Sequence, residues 1–357
     1  PYDSFKAVLA MLKAAIDDPD TIAIKQTLYR MASHSEVIKL LKKGAQRGIQ
    51  VTVLVEIKAR FDEENNLHWV AELEAAGCFV SYGFPNMKTH SKALLVVQNK
   101  GGEIKRYGQF GTGNYNEKNS QLYTDLSFFT SREEYVSDLT DFFNYLTGYR
   151  NHPDYQKIVT SPDDIRELVI EKIKQVIAYH KQSGKGAIFA KMNALTDEPI
   201  IRQLYQASNA GVKIHLQIRG ACCLVAGVKD QSENIRISSI VGRFLEHARI
   251  YAFTTAKGPE WWLSSADWMT RNMTGRVEIA TPLQGTDCEK MIQHLVDVYD
   301  CDEAKAYFMD AEGNYRRLVE NNGLSAQELF VKETLRKTTN LMARQQLLMD
   351  QLRRIPK

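Results

Sequence analysis

The sequence lacks a cysteine pattern that would indicate a disulfide framework or a zinc site. Its five cysteines are odd in number and show no paired ligand spacing, which favours a reducing compartment. No apolar run approaches the roughly 20 residues that a membrane-spanning helix needs, and no signal segment opens the chain. We therefore expect a cytoplasmic protein without a membrane span, and the sequence leaves peripheral membrane association open.

An excess of one charge is also lacking. Lys and Arg number 46 and Asp and Glu number 43, so the net charge of +3 gives no indication of nucleic-acid binding, and none is expected. Any affinity for polyanions must come from local clusters of cations. The 357 residues, 44% of them hydrophobic, are too many for one core of ordinary size, so at least two domains are expected.

The usual phosphate-binding loops are missing as well. No GxxxxGK[ST] string occurs, and the GTGN string from Gly111 to Asn114 does not match GxGxxG. These absences argue against the common nucleotide-binding folds. The chain also begins at Pro1 without a methionine, and we interpret it as a fragment of a longer protein.

What the sequence does contain is an internal repeat. The segment Gly111–Thr130 aligns without a gap with Ser264–Leu283. Upstream, an apolar alternating segment that ends at Glu56 matches one that ends at Arg219, and each follows a helical pattern closed by glycine. The order of elements is the same in both halves, which predicts two α/β lobes with a shared βαβ-type plan.

Each half also carries a histidine at the start of an apolar strand. His90 is followed two residues later by Lys92, and His247 is followed by Arg249. At this spacing each cation falls on the same face of the strand as its histidine. Two such units related by a pseudo-twofold axis would bring the histidines together, which predicts an active site between the lobes.

The predicted domain boundary lies in a stretch that contains two prolines. We divide the chain into a first catalytic lobe of residues 1–155 with His90, a second catalytic lobe of residues 156–320 with His247, and a C-terminal tail of residues 321–357. The tail is polar and rich in Arg and Lys, with a thin apolar stripe. This pattern predicts a long helix.

The paired His-x-basic units resemble those of the phospholipase D superfamily, whose members attack phosphorus through one histidine. The resemblance implies two phospholipase D-like lobes. The Asp that the superfamily has five residues after each basic residue is Val97 in one half and Thr254 in the other. This departure argues against a plain phosphodiesterase.

Longer strings are similar to the signature segments of polyphosphate kinases of the phosphohistidine type. In order, these strings are IKQTLYR from Ile24, ARFDEENN from Ala59, KTHSK from Lys88, GTGNYNEK from Gly111, LYTD from Leu122 and LSSADWMTRN from Leu263. The resemblance runs from Pro1 to about Arg317. It implies a C-terminal fragment that lacks the two amino-terminal domains of the family.

The resemblance implies roles for the histidines and their acidic neighbours. His90 would be the phosphorylated histidine, and His247 would contact phosphate or act as an acid or base. Neutral imidazole is nucleophilic near pH 7, which suits the role of His90. Asp125 and Glu278, which match in the repeat, stand where the superfamily has an acid that hydrogen-bonds each histidine.

The resemblance also implies contacts to the nucleotide and its phosphates. Tyr123, Arg219 and His247 would bind ATP. Arg30 and Arg60 would lie beside the magnesium-bearing phosphates, and their guanidinium groups would bind phosphate oxygens because they cannot bind the metal. The expected cofactor is Mg²⁺, held mainly by phosphate oxygens and water.

Other residues of the repeat are expected to support the site. Lys92 and Arg249 would hold the transferred phosphoryl group, while Asn114 and Asp267 match the Asn segment of the superfamily. Lys118 and Arg271 are a further matched pair in the repeat. With Lys92 and Arg249 they predict a basic passage for a polyanion between the lobes.

The sequence therefore predicts an ATP:polyphosphate phosphotransferase that reversibly moves the terminal phosphoryl group through phosphohistidine His90. Its partners would be ATP or ADP and inorganic polyphosphate, and the full-length protein is expected to be a homo-oligomer. Two alternatives stay open: a phospholipase D-like phosphodiesterase or nuclease, and a non-enzymatic polyanion-binding module. Labelled ATP distinguishes the three by transfer of phosphate to long chains, to water or to nothing.

Overall fold

A computed structural model of the chain describes residues 1–29, 31, 35–56, 63–148, 151–162, 164–317 and 323–353, without the side chains of residues 63–67 and 343–353. The first half contains α1 (Lys6–Asp17), β1 (Thr21–Leu28), α2 (Glu36–Gln46), β2 (Gln50–Val55), α3 (Glu63–Ala75), β3 (Phe79–Ser81), β4 (Lys88–Thr89), β5 (Lys92–Lys100), β6 (Glu103–Gly111), β7 (Tyr123–Thr124), β8 (Ser127–Thr130) and α4 (Glu133–Leu146). The second half contains β9 (Val159–Ser161), α5 (Ile165–Ser183), β10 (Ala187–Met192), α6 (Glu198–Asn209), β11 (Lys213–Ile218), β12 (Ile235–Ile240), β13 (Leu245–Glu246), β14 (Arg249–Thr255), β15 (Gly258–Ser264), α7 (Thr270–Thr274), β16 (Arg276–Leu283), α8 (Thr286–Asp300), β17 (Ala306–Met309), β18 (Tyr315–Arg316) and α9 (Ala326–Arg353).

The strands form one large sheet in each lobe. The first sheet has the order β3-β2-β1-β5-β6-β8, and the second has the order β18-β17-β12-β11-β10-β14-β15-β16-β4, with β9 also paired to β16. In the first sheet, β1 is parallel to β2 and antiparallel to β5. In the second, β10 is likewise parallel to β11 and antiparallel to β14. This common topology confirms the two-lobed α/β fold predicted from the repeat.

Glycine ends the helices that precede the two equivalent strands β2 and β11. Gly48 and Gly211 have φ angles of 87° and 92°, in the left-handed region that glycine adopts without strain. After each glycine, the next backbone N–H donates to a carbonyl five residues earlier, at 3.1 and 3.0 Å. The chain therefore turns sharply from helix into central strand, as the repeat predicts.

A shared apolar core holds the two lobes against each other. Leu95 and Phe110 of the first sheet belong to the same buried cluster as Trp261 and Ile279 of the second, and Phe142 of α4 completes their contact. Full burial of such a side chain contributes roughly 1.5–3 kcal/mol. Separate clusters fill the space between each sheet and its outer helices. Groups on opposite sides of the interface are thus held in fixed relative positions.

Two short strands also pair across the interface. β4, which ends directly before His90, pairs in parallel with β16 of the second lobe. β13, which ends directly before His247, pairs in parallel with β7 of the first lobe. Each histidine therefore follows a strand that is hydrogen-bonded to the opposite lobe.

The C-terminal tail forms helix α9, whose first turns pack on the second lobe. Ala326 and Phe330 are buried in a cluster with Tyr2, Ile240 and Tyr299. No helix in the described part of the chain is both long and apolar enough to cross a membrane.

Candidate active site

A carboxylate of the second lobe orients the histidine of the first. Nδ1 of His90 lies 3.0 and 2.9 Å from the two carboxylate oxygens of Glu278. Glu278 is fully buried and also accepts hydrogen bonds from Ser265 Oγ and Asn272 Nδ2, both at 2.5 Å. Burial raises the pKa of Glu278, but the donors from Ser265 and Asn272 and the nearby Lys92 favour its ionised form. An ionised carboxylate can only accept, so Nδ1 carries the proton and Nε2 retains its lone pair.

The histidine of the second lobe is held in the same way by a carboxylate of the first. Nδ1 of His247 lies 2.9 and 3.0 Å from the two carboxylate oxygens of Asp125. Asp125 also accepts a hydrogen bond from Thr112 Oγ1 at 2.6 Å. The two histidine–carboxylate pairs are thus exchanged between the lobes, because each histidine takes its acid from the other half of the chain.

Burial keeps both imidazoles neutral near pH 7. Desolvation, with the nearby cations Lys92 and Arg249, lowers the pKa of His90 well below its ordinary value of 6.5. Desolvation also lowers the pKa of His247, and the adjacent Asp125 opposes this shift. A neutral His90 with a free Nε2 lone pair is a competent nucleophile.

The two cations of the His-x-basic units occupy different environments. Lys92 is buried, and burial lowers the pKa of its amine. Its Nζ donates to the carbonyl oxygen of His90 and lies 5.3 Å from the centre of the Tyr29 ring. Arg249 pairs with Asp267 at 3.2 Å and lies 3.3 Å from Nε2 of His247. Arg249 thus reaches the second imidazole, whereas Lys92 lies behind the first.

Both histidines line a cleft of about 610 Å³ between the lobes. Its other lining residues are Tyr29, Asn86, Lys88, Asn114, Asn119, Tyr123, Asn193, Ala194, Arg219, Arg249, Asp267, Met269, Arg271, Gly275 and Arg276. Among the described residues, no ion pair joins Arg219, Arg271 or Arg276 to a carboxylate, while Asp267 is already paired with Arg249. The cleft is therefore strongly basic and suits a polyanionic ligand.

The other predicted site residues fall into three groups. Tyr123, Asn114 and Arg219 line the cleft, and the ring of Tyr123 lies 5.1 Å from that of His247, centre to centre. Asp267 faces the cleft but is fixed by hydrogen bonds from the side chain and backbone of Asn193. Arg30 and Arg60 lie outside the described residues, so their expected contacts stay predictions.

Sequence reasoning missed several lining residues, although the repeat could have found two of them. Arg276 occupies the repeat position of Tyr123, and Asn193 follows β10 as Tyr29 follows β1. Arg219 donates to the side chain of Asn193, so this missed residue orients a predicted one. Lys88, the first residue of the KTHSK string, is a further lining residue outside the predicted set.

No protein cage for a metal ion is present in the described part of the chain, where no three His, Cys, Asp or Glu side chains cluster suitably. Of the described residues that line the cleft, Asp267 alone supplies a carboxylate, and this carboxylate is engaged by Arg249.

Two α/β lobes, a histidine–carboxylate pair from each side and a basic cleft between them define a two-lobed α/β protein with a paired-histidine centre suited to phosphate ligands. The chain belongs more narrowly to the polyphosphate kinase family. The family models described as "Polyphosphate kinase C-terminal domain 1" and "Polyphosphate kinase C-terminal domain 2" match residues 1–152 and 158–327.

Individual relatives agree with this assignment. Polyphosphate kinases of Bacillus anthracis and Staphylococcus haemolyticus (strain JCSC1435) are 48% and 49% identical over 93% and 94% of this chain, which covers 47% of each relative. The crystal structure of polyphosphate kinase from Porphyromonas gingivalis matches with a TM-score of 0.88 at 32% identity, over 95% of this chain and 52% of that one. The chain thus spans about half the length of the curated relatives it matches.

A more distant solved structure shares the fold alone. Phosphatidylserine synthase of Haemophilus influenzae Rd KW20 matches with a TM-score of 0.56 at 9% identity, over 93% of this chain and 92% of that one.

Proposed function

We propose that this chain carries the catalytic centre of a polyphosphate kinase, which transfers the terminal phosphoryl group of ATP reversibly to inorganic polyphosphate through His90. The observation that supports this most is the Glu278–His90 pair, which holds a neutral imidazole in a basic cleft with its proton on Nδ1. A nucleophile prepared in this way suits a transfer between two polyanions, since one cradle serves both half-reactions.

In the first half-reaction, Nε2 of His90 attacks the terminal phosphorus of ATP. The N–P bond forms while the bond from phosphorus to the bridging oxygen breaks, and ADP leaves with that electron pair. The phosphorylated ring carries positive charge, which the adjacent Glu278 carboxylate stabilises through the Nδ1 proton. In the second half-reaction, a terminal oxygen of polyphosphate attacks the phosphorus, the N–P bond breaks, and the chain is one phosphate longer.

The cleft cations stabilise the charge on the transferred group. Arg249, Arg271 and Arg276 would bind phosphoryl oxygens, as guanidinium groups do through paired N–H donors. Arg219 and Tyr123 line the same cleft and would contact the nucleotide. Fixed cations of this kind lower the barrier because they require no reorganisation as the charge spreads.

His247 is placed to act as an acid or base at the bridging oxygen of the transferred phosphoryl group. Asp125 holds its Nδ1 proton, so Nε2 of the neutral ring would accept the proton of a protonated terminal phosphate as that oxygen attacks, and would return it to the bridging oxygen when the transfer runs in reverse. We infer that the divalent ion is Mg²⁺, which would neutralise phosphate charge when bound with the nucleotide. By the family resemblance, Arg30 and Arg60 would lie beside these phosphates.

Intact-mass measurement tests the proposal. The chain is incubated with Mg-ATP and with Mg-ATP plus short polyphosphate, and protein mass and product length are recorded. We expect one added phosphoryl group that is labile in acid, and its transfer to longer chains. The added phosphoryl group should be absent in His90→Ala. It should be present in the matched control His294→Ala, because this exposed histidine also faces a carboxylate, Glu333, but lies away from the cleft. Release of inorganic phosphate alone would instead indicate a hydrolase.

A further inference from the structure

Glu246 is a buried carboxylate that the phosphoryl-transfer steps do not use. It directly precedes His247, is 3% exposed, and forms an ion pair with Lys191 at 3.0 Å. Lys191 is 1% exposed. A buried ion pair is costly to form unless its remaining polar atoms are also bonded. The presence of such an ion pair directly beside His247 therefore needs a functional or structural reason.

Three further donors complete what we call the Glu246 cluster, which comprises Glu246, Lys191, Tyr299, Gln327 and Thr124. The Tyr299 hydroxyl donates to Glu246 at 2.9 Å, the Gln327 amide at 2.6 Å and the Thr124 hydroxyl at 2.9 Å. These donors come from α8, α9 and β7 respectively. The cluster therefore joins the body of the second lobe, the C-terminal helix and the first lobe.

Thr124 and the residue after it connect the cluster to the backbone and to the imidazole ring of His247. Its hydroxyl donates to Glu246 and accepts a hydrogen bond from the backbone N–H of His247 at 3.2 Å. The next residue, Asp125, binds the imidazole of the same histidine. One short segment thus fixes both the backbone and the ring of His247, and Glu246 fixes that segment.

The first half of the repeat lacks this ion pair. In the aligned positions Thr89 stands for Glu246, and Thr27 stands for Lys191. The backbone N–H of Thr89 instead donates to a carboxylate oxygen of Glu56 at 2.9 Å. The repeated fold therefore forms without a buried Lys–Glu pair at this position. We infer that the pair in the second half has a role that the common fold does not require.

We propose that the Glu246 cluster positions His247 against Asp125, and that Gln327 makes the C-terminal helix α9 part of this positioning. Glu246 and Thr124 are positioning residues in this proposal, because they act through His247 and do not touch the reacting atoms. The inference rests on the proposed function, which gives His247 its role in phosphoryl transfer. Substitutions that remove the bond from Gln327 to Glu246 are then expected to change turnover from outside the cleft.

Removal of the Thr124 hydroxyl tests the proposal most directly. In Thr124→Val we expect kcat to fall about tenfold, because one hydrogen bond at each end of the hydroxyl is lost. The KM for ATP should change less than twofold, while Thr124→Ser should retain the wild-type kcat. Thr281→Val is the matched control, since this buried threonine has a hydroxyl without a hydrogen-bond partner in the described part of the chain.

A second readout does not depend on activity. The Nδ1 proton of His247, which bonds Asp125, gives an NMR signal that can be assigned by its loss in His247→Asn. Thr124→Val should shift this signal, and Thr124→Ser and Thr281→Val should leave it in place. An unchanged signal in a folded Thr124→Val protein would overturn the positioning role, whereas a wild-type protein that makes no polyphosphate would overturn the proposed function.

Gln327→Met keeps the test decisive if Thr124→Val does not fold. The substitution removes the 2.6 Å bond to Glu246 from a helix at the edge of the lobe. A folded Gln327→Met protein should also show the shifted His247 signal and a lower kcat at constant KM. An unchanged signal and an unchanged kcat would show that α9 takes no part.

Discussion

The carboxylate of Glu278 lies 2.9 Å from Nδ1 of His90, although 188 positions separate the two residues and each belongs to a different lobe. The geometry makes the protonation of one lobe's histidine depend on the placement of the other lobe. Several consequences of this arrangement can be measured.

Glu278→Gln should slow phosphorylation of His90 sharply. A glutamine can present its amide N–H to Nδ1 and so favour the wrong tautomer, and loss of such an acid typically costs on the order of 10²–10⁴ in rate. Single-turnover labelling with ATP measures the effect. Glu333→Gln, which alters the exposed carboxylate beside His294, should retain the wild-type rate. Equal rates in Glu278→Gln and wild type would contradict the assigned role.

The buried neutral state of His90 makes stability depend on pH. Because burial lowers the pKa of His90, the unfolded chain binds a proton below pH 6.5 that the folded chain does not. The free energy of unfolding should thus fall as the pH drops below 6.5 and be insensitive to this group above it. His90→Asn should reduce that slope by up to about 1.4 kcal/mol per pH unit. Denaturant unfolding at a series of pH values measures the slope, and parallel slopes would count against a neutral buried ring.

Arg271 and Lys118 occupy matching positions of the repeat but different surroundings, which makes them a matched pair for testing the polyanion path. Arg271 lines the cleft, whereas Lys118 is exposed and is not among the lining residues. Arg271→Glu should weaken polyphosphate binding and flatten its dependence on salt, because fewer phosphate charges are neutralised. Lys118→Glu should have a smaller effect. Binding measured across a salt series checks this, and equal effects would place the path outside the cleft.

Substitution of Trp261 measures how much the core between the lobes contributes to stability. This side chain is 3% exposed and packs in the cluster that both sheets share. Trp261→Ala should lower the free energy of unfolding by about 3–5 kcal/mol, as expected for a large aromatic core residue. Met291→Ala, at a side chain that is 68% exposed, should change it by less than about 0.5 kcal/mol. Denaturant titration gives both values.

Much of the fold could be predicted because both halves of the sequence carry the same pattern of helices and strands. The helix-to-strand glycines, the central parallel strands and the paired histidines all follow from patterns within about 20 residues, where periodicity and turn chemistry act. The repeat also marked Asp125 and Glu278 as equivalent. It gave no information on which histidine each acid reaches, since that depends on strand pairing across the interface.

The residues that escaped prediction are those defined by long-range geometry. Arg276 enters the cleft because β16 pairs with β4 of the other lobe, and its match to Tyr123 in the repeat is the one sequence signal for that position. The Glu246–Lys191 pair was missed for the same reason, because a lone acidic residue before a histidine resembles a surface carboxylate in sequence. Burial and a distant partner distinguish it only once the chain is folded.

The exchange of β4 and β13 between the lobes has a consequence for any division of this chain. A cut between residues 152 and 158, where the two family models leave a gap, would separate both histidines from their acids and leave both short strands unpaired. The two fragments would regain a complete centre only as a heterodimer. Catalysis would then become a bimolecular property whose rate rises with fragment concentration, so the chain could serve as a split reporter of proximity.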